Sequence, residues 1–299
     1  MIPLQTNVEI LQPPFTIDHN DKVLLLGSCF SDNVGTRMQQ AGFDVLCNPF
    51  GPLYNPLSIA DCLRRSLKGE YLTDDDLVFN DGMWHSWYHY GSFSAVEKER
   101  CLDMCNESLQ ATTDFLRTCN TVVITLGTAY VYHLIEEGRR GRVVSNCHRV
   151  QPNRFERRLL NVAECRDALW ALPIHNKRTI ITVSPIRHLA DSAHGNQLSK
   201  SRLLLAADLY KEQRSLDDME NARGRYNFST YYFPAYEIML DELRDYRFYD
   251  RDMVHPSPLA IDIIWQHFQN AFFSSVTQNI CRQNEKDYRR TQHRPISRQ

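Results

Sequence analysis

Short apolar runs alternate with amphipathic stretches through most of the chain. Five runs, Lys22–Gly27, Asp44–Asn48, Thr121–Leu126, Arg178–Val183 and Ser229–Phe233, are each about one strand long and are followed by small or turn-forming residues. Between them, apolar positions recur with a period of about 3.6 over Ser31–Ala41, Pro56–Ser66, Glu97–Thr118, Val162–Leu172, Ser199–Gln213, Ala235–Leu243 and Pro258–Ser274, and these segments are predicted as helices. Such alternation predicts an α/β fold, a doubly wound parallel sheet with helices on both faces.

Two segments break the pattern. Residues 70–97 contain FNDGMWHSWYHYGSF, dense in aromatics and turn residues and too polar for a core strand pair. Residues 130–153 read as a hairpin around the charged, Gly-containing turn Glu136–Gly141. Both insertions are expected to overhang the strand ends. No linker or repeat divides the rest, so residues 1–278 are expected to form a single domain. From about Asn279 the apolar periodicity fails, and 279–299 is expected to be a basic tail, frayed or disordered.

Composition narrows the function classes. The chain has 299 residues, 42% hydrophobic and 23% charged, which excludes a disordered or fibrous protein. With 34 basic and 36 acidic residues it lacks a field that would hold phosphate backbones, so no nucleic-acid partner is expected. No apolar run approaches the ~20 residues of a membrane span, and MIPLQTNVEI does not read as a secretory signal. The nine cysteines, spread through apolar segments, read as reduced thiols, and a cytoplasmic location is the expectation. No protein partner is predicted.

The candidate chemistry lies near the two ends. KVLLLGSCFSDNVG puts Ser28 directly after a buried strand and before a helix, where free N–H groups favour an anion. That place suits a nucleophile, and equally a helix cap. DRDMVHPSP places Asp252 three residues before His255 in a loop that opens a helix. A serine hydroxyl attacks only when a His takes its proton, and a carboxylate on the other ring nitrogen fixes the tautomer. Ser28, His255 and Asp252 thus form a candidate triad. Cys29 and the adjacent Cys147 and His148 leave a cysteine nucleophile open. Cys101 and Cys105 lack a second ligand pair, so no metal is expected. Trp84 and His85 would form a substrate-facing wall or a packed lid, and Arg187 and His188, after the fourth strand, would bind an anionic or hydroxylated substrate or make ion pairs. Lys200 and Glu237 read as structural ion-pair partners.

GSCFS after the first strand, NPFGPLYNP after the second, TLGTAYVY, NCH, TVSPIRH and YFPAYEIMLDELRDYRFYDRDMVHPS together resemble the GSCFA-domain family, itself similar to the SGNH (GDSL-type) hydrolases. The resemblance spans roughly Gly27 to Phe268. It implies a three-layer α/β/α, flavodoxin-like sandwich, with the nucleophile at Ser28 and the DxxH pair at Asp252 and His255. It also implies an oxyanion hole built from the Ser28 N–H, Gly51 and an Asn in a GxN motif. Ala129 occupies that Asn position, so Asn48, Thr128 or Asn146 is expected to substitute. The implied activity is cofactor-free hydrolysis or transfer of an acyl ester, carbohydrate-linked esters among them. The alternative is a weakened module that binds a carbohydrate or acyl ligand without turnover, which the Ala129 substitution favours.

Overall fold

The computed structural model describes residues 6–220 and 230–292. Its centre is a sheet of five parallel strands, β1 (Lys22–Gly27), β2 (Asp44–Cys47), β5 (Thr121–Leu126), β9 (Arg178–Val183) and β10 (Thr230–Tyr232), in the order β2-β1-β5-β9-β10. Leu25 lies beside Cys47 on one side and Val123 on the other, and Val122 beside Thr179. The order reverses at β1, and in such sheets a crevice opens outside the carboxyl ends of the strands at that point.

Alternating strand residues enter two separate cores, which is what a period of two predicts for a sheet covered on both faces. Leu24, Leu26, Val122, Ile124, Ile181 and Val183 face α2 (Pro56–Lys68), α3 (Lys98–Thr118), α4 (Val162–Trp170) and α5 (Ser192–Glu220). Val23, Leu25, Val123 and Ile180 face α1 (Cys29–Gln40) and α7 (Pro258–Phe272). The expected three-layer α/β/α architecture, with flavodoxin-like strand order, is the one observed.

Several segments differ from expectation. Residues 70–97 contain a strand pair after all, β3 (Leu77–Asn80) antiparallel to β4 (Met83–Ser86). The turn is Asp81-Gly82, both at positive φ, the hairpin signal that polarity had masked. The pair is buried at one end only: Leu77 and its partner Ser86 are buried, while Phe79, on the same face, is exposed. The hairpin expected at 130–153 is present as β6 (Tyr130–Glu136) and β7 (Arg139–Val144), and β8 (Phe155–Leu159) pairs with the other edge of β6. The segment from Ala235 makes one α turn, α6 (Ala235–Glu237), and then a π turn over Ile238–Glu242. The expected frayed tail is helix α8 (Ser275–Gln292), seated by buried Thr277 and Cys281 and by the Asn284 amide, which donates to the Ala41 carbonyl at 2.8 Å. Residues 293–299 lie outside the described residues. All nine cysteines are free thiols, and among the described residues no helix is long and apolar enough to cross a membrane.

Candidate active site

The site is built where β1 gives way to α1. Gly27 has φ +136°, and a Cβ there would drive into the Thr125 carbonyl, so only glycine makes this turn. Ser28 still belongs to the sheet: its N–H donates to the Thr125 carbonyl at 3.1 Å. Its hydroxyl caps α1, accepting from the Phe30 N–H, and donates to Ser184 Oγ at 2.9 Å. With 1% exposure, Ser28 is turned into the protein, and it does not meet His255. The next residue does. Cys29 Sγ lies 3.7 Å from His255 Nε2, within hydrogen-bonding range for sulfur. His255 Nδ1 lies 2.6 Å from Asp252 Oδ2, and Asp252 Oδ1 accepts from the N–H groups of Val254 and His255.

The physical reason for this placement is a one-residue offset. Extending the ladder by one bond at Ser28 makes it the inward-facing cap, and the first helical residue, Cys29, is then presented at the crevice. The loop that brings Asp252 and His255 there is tied from both sides. The Asp250 N–H donates to the His255 carbonyl at 2.8 Å, and Met253 turns the loop at φ 58°. Arg187, after β9, donates its N–H to the Val254 carbonyl and its guanidinium to the Met253 carbonyl, each at 3.1 Å.

Backbone N–H donation from His255, followed by the imidazole contact, holds the Asp252 carboxyl at about 2. Burial, then the Asp32 carboxylate, raises the Cys29 thiol, against the lowering effects of its own N–H, of Lys200 and of the Phe30 N–H. Lys200 is the unforeseen member of the site. It is 1% exposed, donates to the Gly127 carbonyl at 2.7 Å and the Ser184 carbonyl at 2.8 Å, and burial lowers it to about 7. His188 is lowered to about 4, first by burial and then by the Lys200 charge, and its buried Nε2 has no hydrogen-bond partner among the described residues.

Most of the expected oxyanion donors are otherwise engaged. The Ser28 N–H is in the ladder, and the Gly51 N–H donates to the Asn48 carbonyl at 2.8 Å. Asn48 accepts from the Gly27 N–H and donates to Asp32 at 2.8 Å, so its amide braces the turn from behind. The Thr128 hydroxyl contacts Ser199 Oγ at 3.0 Å and accepts from the Tyr130 N–H, the Ala129 N–H donates to Ser199, and Asn146 accepts from the His148 N–H. The Cys29 N–H, at the start of α1, has no backbone acceptor among the described residues.

Of the expected substrate-facing residues, Arg187 and His188 line the cleft over Cys29, a space of about 370 Å³. Trp84 and His85 do not. Trp84 packs on Phe79 and lies under Lys98, and His85 bonds Ser94 and the Asn80 carbonyl, because the hairpin folds on itself instead of over the crevice. The walls come instead from Tyr54, Tyr130, Tyr132 and Arg157, whose guanidinium lies 3.6 Å over the Tyr130 ring and pairs with Asp191. The alternating aromatics of AYVYHL were the available signal for them. Among the described residues no group of three or more His, Cys, Asp or Glu is placed to hold a metal ion.

Residues 22–268 match the GSCFA family. The chain belongs to that family. Cys29, Lys200, Asp252 and His255 all lie in the matched span, and the GSCFS segment is the turn that presents Cys29. No curated protein matches the sequence. Among solved structures, this GSCFA chain is similar to a carbohydrate esterase family 3 protein from Talaromyces cellulolyticus, with 12% identity and a TM-score of 0.40 over 87% of this chain and 98% of that one. It is similar also to an acetyl esterase mutant with acetate ion, with 12% identity and a TM-score of 0.39 over the same shares.

Proposed function

We propose that this protein is an acyl hydrolase or acyltransferase in which Cys29 is the nucleophile, His255 the base and acid, and Asp252 the group that orients His255. The observation that carries this reading is the line of contacts from Cys29 Sγ to His255 Nε2 at 3.7 Å and from His255 Nδ1 to Asp252 at 2.6 Å. Because burial keeps the proton on the Cys29 thiol, attack proceeds by general-base catalysis. Cys29 Sγ bonds to the acyl carbon while its proton passes to His255 Nε2. The imidazolium, steadied by Asp252, returns that proton to the departing group. The Cys29 N–H at the start of α1 faces the developing oxyanion. His255 and Asp252 are about half exposed, 46% and 49% for their side chains, so water or an alcohol has access to the acyl-enzyme.

Binding without turnover is favoured by the engaged oxyanion donors at Gly51 and Asn48, and one experiment separates the two readings. Wild type, Cys29→Ala and Ser28→Ala are compared for turnover of short-chain activated esters and for labelling by iodoacetamide and by a fluorophosphonate, with the modified peptide mapped. Cys29 is expected to be the site alkylated fastest, and Cys29→Ala to lose roughly 10³-fold or more in turnover, whereas Ser28→Ala keeps Cys29 labelling. Phosphonylation of Ser28 in a fully active Cys29→Ala variant would refute the assignment.

A further inference from the structure

We infer that the natural acyl donor is a thioester instead of an oxygen ester; this rests on Cys29 being the nucleophile, as proposed above. Two independent features lead there. The first is the competition between leaving groups. Once Cys29 Sγ has added to an oxygen ester, the tetrahedral intermediate holds one sulfur and one alkoxide oxygen, and the sulfur leaves more readily. The intermediate therefore reverts unless the oxygen is protonated in time. With a thioester both candidates are sulfur, and the lower-pKa thiolate leaves faster. Burial raises the Cys29 thiol, so an ordinary donor thiol is the better leaving group and the forward path is favoured.

The second feature is the sparse oxyanion hole. The Gly51 N–H and the Asn48 amide are each held at 2.8 Å, by the Asn48 carbonyl and by Asp32, which leaves the Cys29 N–H and the Thr128 hydroxyl that Ser199 shares at 3.0 Å. In enzymes that rely on such donors each is worth roughly 10²–10³ in turnover. An oxygen ester, whose carbonyl is stabilised by resonance with the ester oxygen, needs that help. A thioester carbonyl has poorer overlap with sulfur, is more electrophilic and needs less. Ile186, Val254 and the ring of Tyr54 give the cleft apolar surface suited to a thioether-like arm.

The step balances without a cofactor. The Cys29 Sγ–acyl carbon bond forms, the acyl carbon–sulfur bond of the donor breaks, and the proton moves from Cys29 through His255 to the departing thiol. Water, or an acceptor alcohol, then adds to the acyl carbon, the Sγ–carbon bond breaks, and the proton of the attacking hydroxyl returns through His255 to Cys29.

The test uses matched substrates that differ in one atom, N-acetylcysteamine thioesters and N-acetylethanolamine oxygen esters of acetate, butyrate and octanoate. The full chain and Cys29→Ser are assayed for turnover, and intact mass reads acylation. Wild type is expected to prefer the thioester in kcat/KM by at least roughly 10², and Cys29→Ser to shrink that preference by about tenfold or more as sulfur is removed from the competition. If wild type turns over both partners of each pair within tenfold, with Cys29 acylated by both, the donor inference is overturned and the nucleophile stands. If no pair acylates Cys29, both are overturned.

Discussion

Lys200 offers the sharpest test of how the site is built. A neutral amine has two N–H donors, and the structure supplies two acceptors, the Gly127 and Ser184 carbonyls at 2.7 and 2.8 Å. Protonation adds a third N–H, for which the Tyr236 ring, 5.7 Å away, is a weak partner. A fall from 10.5 to about 7 corresponds to about 5 kcal/mol of disfavoured protonation. Between pH 7 and pH 10.5 the unfolded chain holds a proton that the native state lacks, so stability rises with pH by about 1.4 kcal/mol per unit. Below pH 7 both states are protonated and the penalty is constant. Lys200→Met removes this slope and instead leaves two buried carbonyls unpaired, at about 1–3 kcal/mol each and at every pH. The variant should therefore nearly match wild type at pH 6 and fall behind it by about 3 kcal/mol more at pH 9 than at pH 7. Urea unfolding followed by tryptophan fluorescence at pH 6, 7, 8 and 9 measures the difference. Stability profiles that run parallel within about 1 kcal/mol would show that Lys200 is not buried as described.

Three further outcomes follow from the loop and from the cleft. Asp252→Asn should lower kcat by roughly 10² or more while Asp250→Asn changes it by less than about threefold, since only Asp252 contacts the His255 ring. The Asp252 carboxyl, held at about 2, stays ionised as pH falls and loses its contribution only near that value, so no acid limb above pH 4 in a wild-type pH–rate profile should trace to it. Arg157→Ala should raise KM about tenfold with little change in kcat, because Arg157 stacks on Tyr130 in the cleft wall and does not touch Cys29 or His255; steady-state kinetics on the thioester series reads this.

What was legible in the sequence was what local physics decides. Leu24 and Leu26 enter one core and Val23 and Leu25 the other, so β1 had to be a continuous apolar run, and it reads as one. Asp252 and His255 were legible for a similar reason: a four-residue loop brings the carboxylate to the ring nitrogen without help from the rest of the chain. Their third partner was not. Whether Ser28 or Cys29 meets His255 depends on where the β1 ladder ends, and that is decided by the Thr125 carbonyl, 97 residues away. A helix cap and a nucleophile both favour small polar residues after a strand, so GSC is ambiguous until the pairing is known. Lys200 reads as an ion-pair partner, and its burial was not legible, because that is set by carbonyls at the ends of β5 and β9.

The same offset explains why the serine is there at all. Ser28 donates to Ser184 Oγ, the Ser184 carbonyl accepts from Lys200, and Lys200 also holds Gly127, so the carboxyl ends of β1, β5 and β9 are laced together beneath the crevice. A residue anchored in that way cannot swing out to attack a substrate. Cys29, one position on, inherits a fixed backbone from Ser28 and an N–H free of backbone acceptors among the described residues, with His255 at its sulfur. On the proposed reading, positioning and chemistry are divided between these adjacent residues. On that reading, loosening Ser28 would misplace the nucleophile without removing it, since it is the Cys29 thiol that His255 contacts and Asp252 that contacts His255.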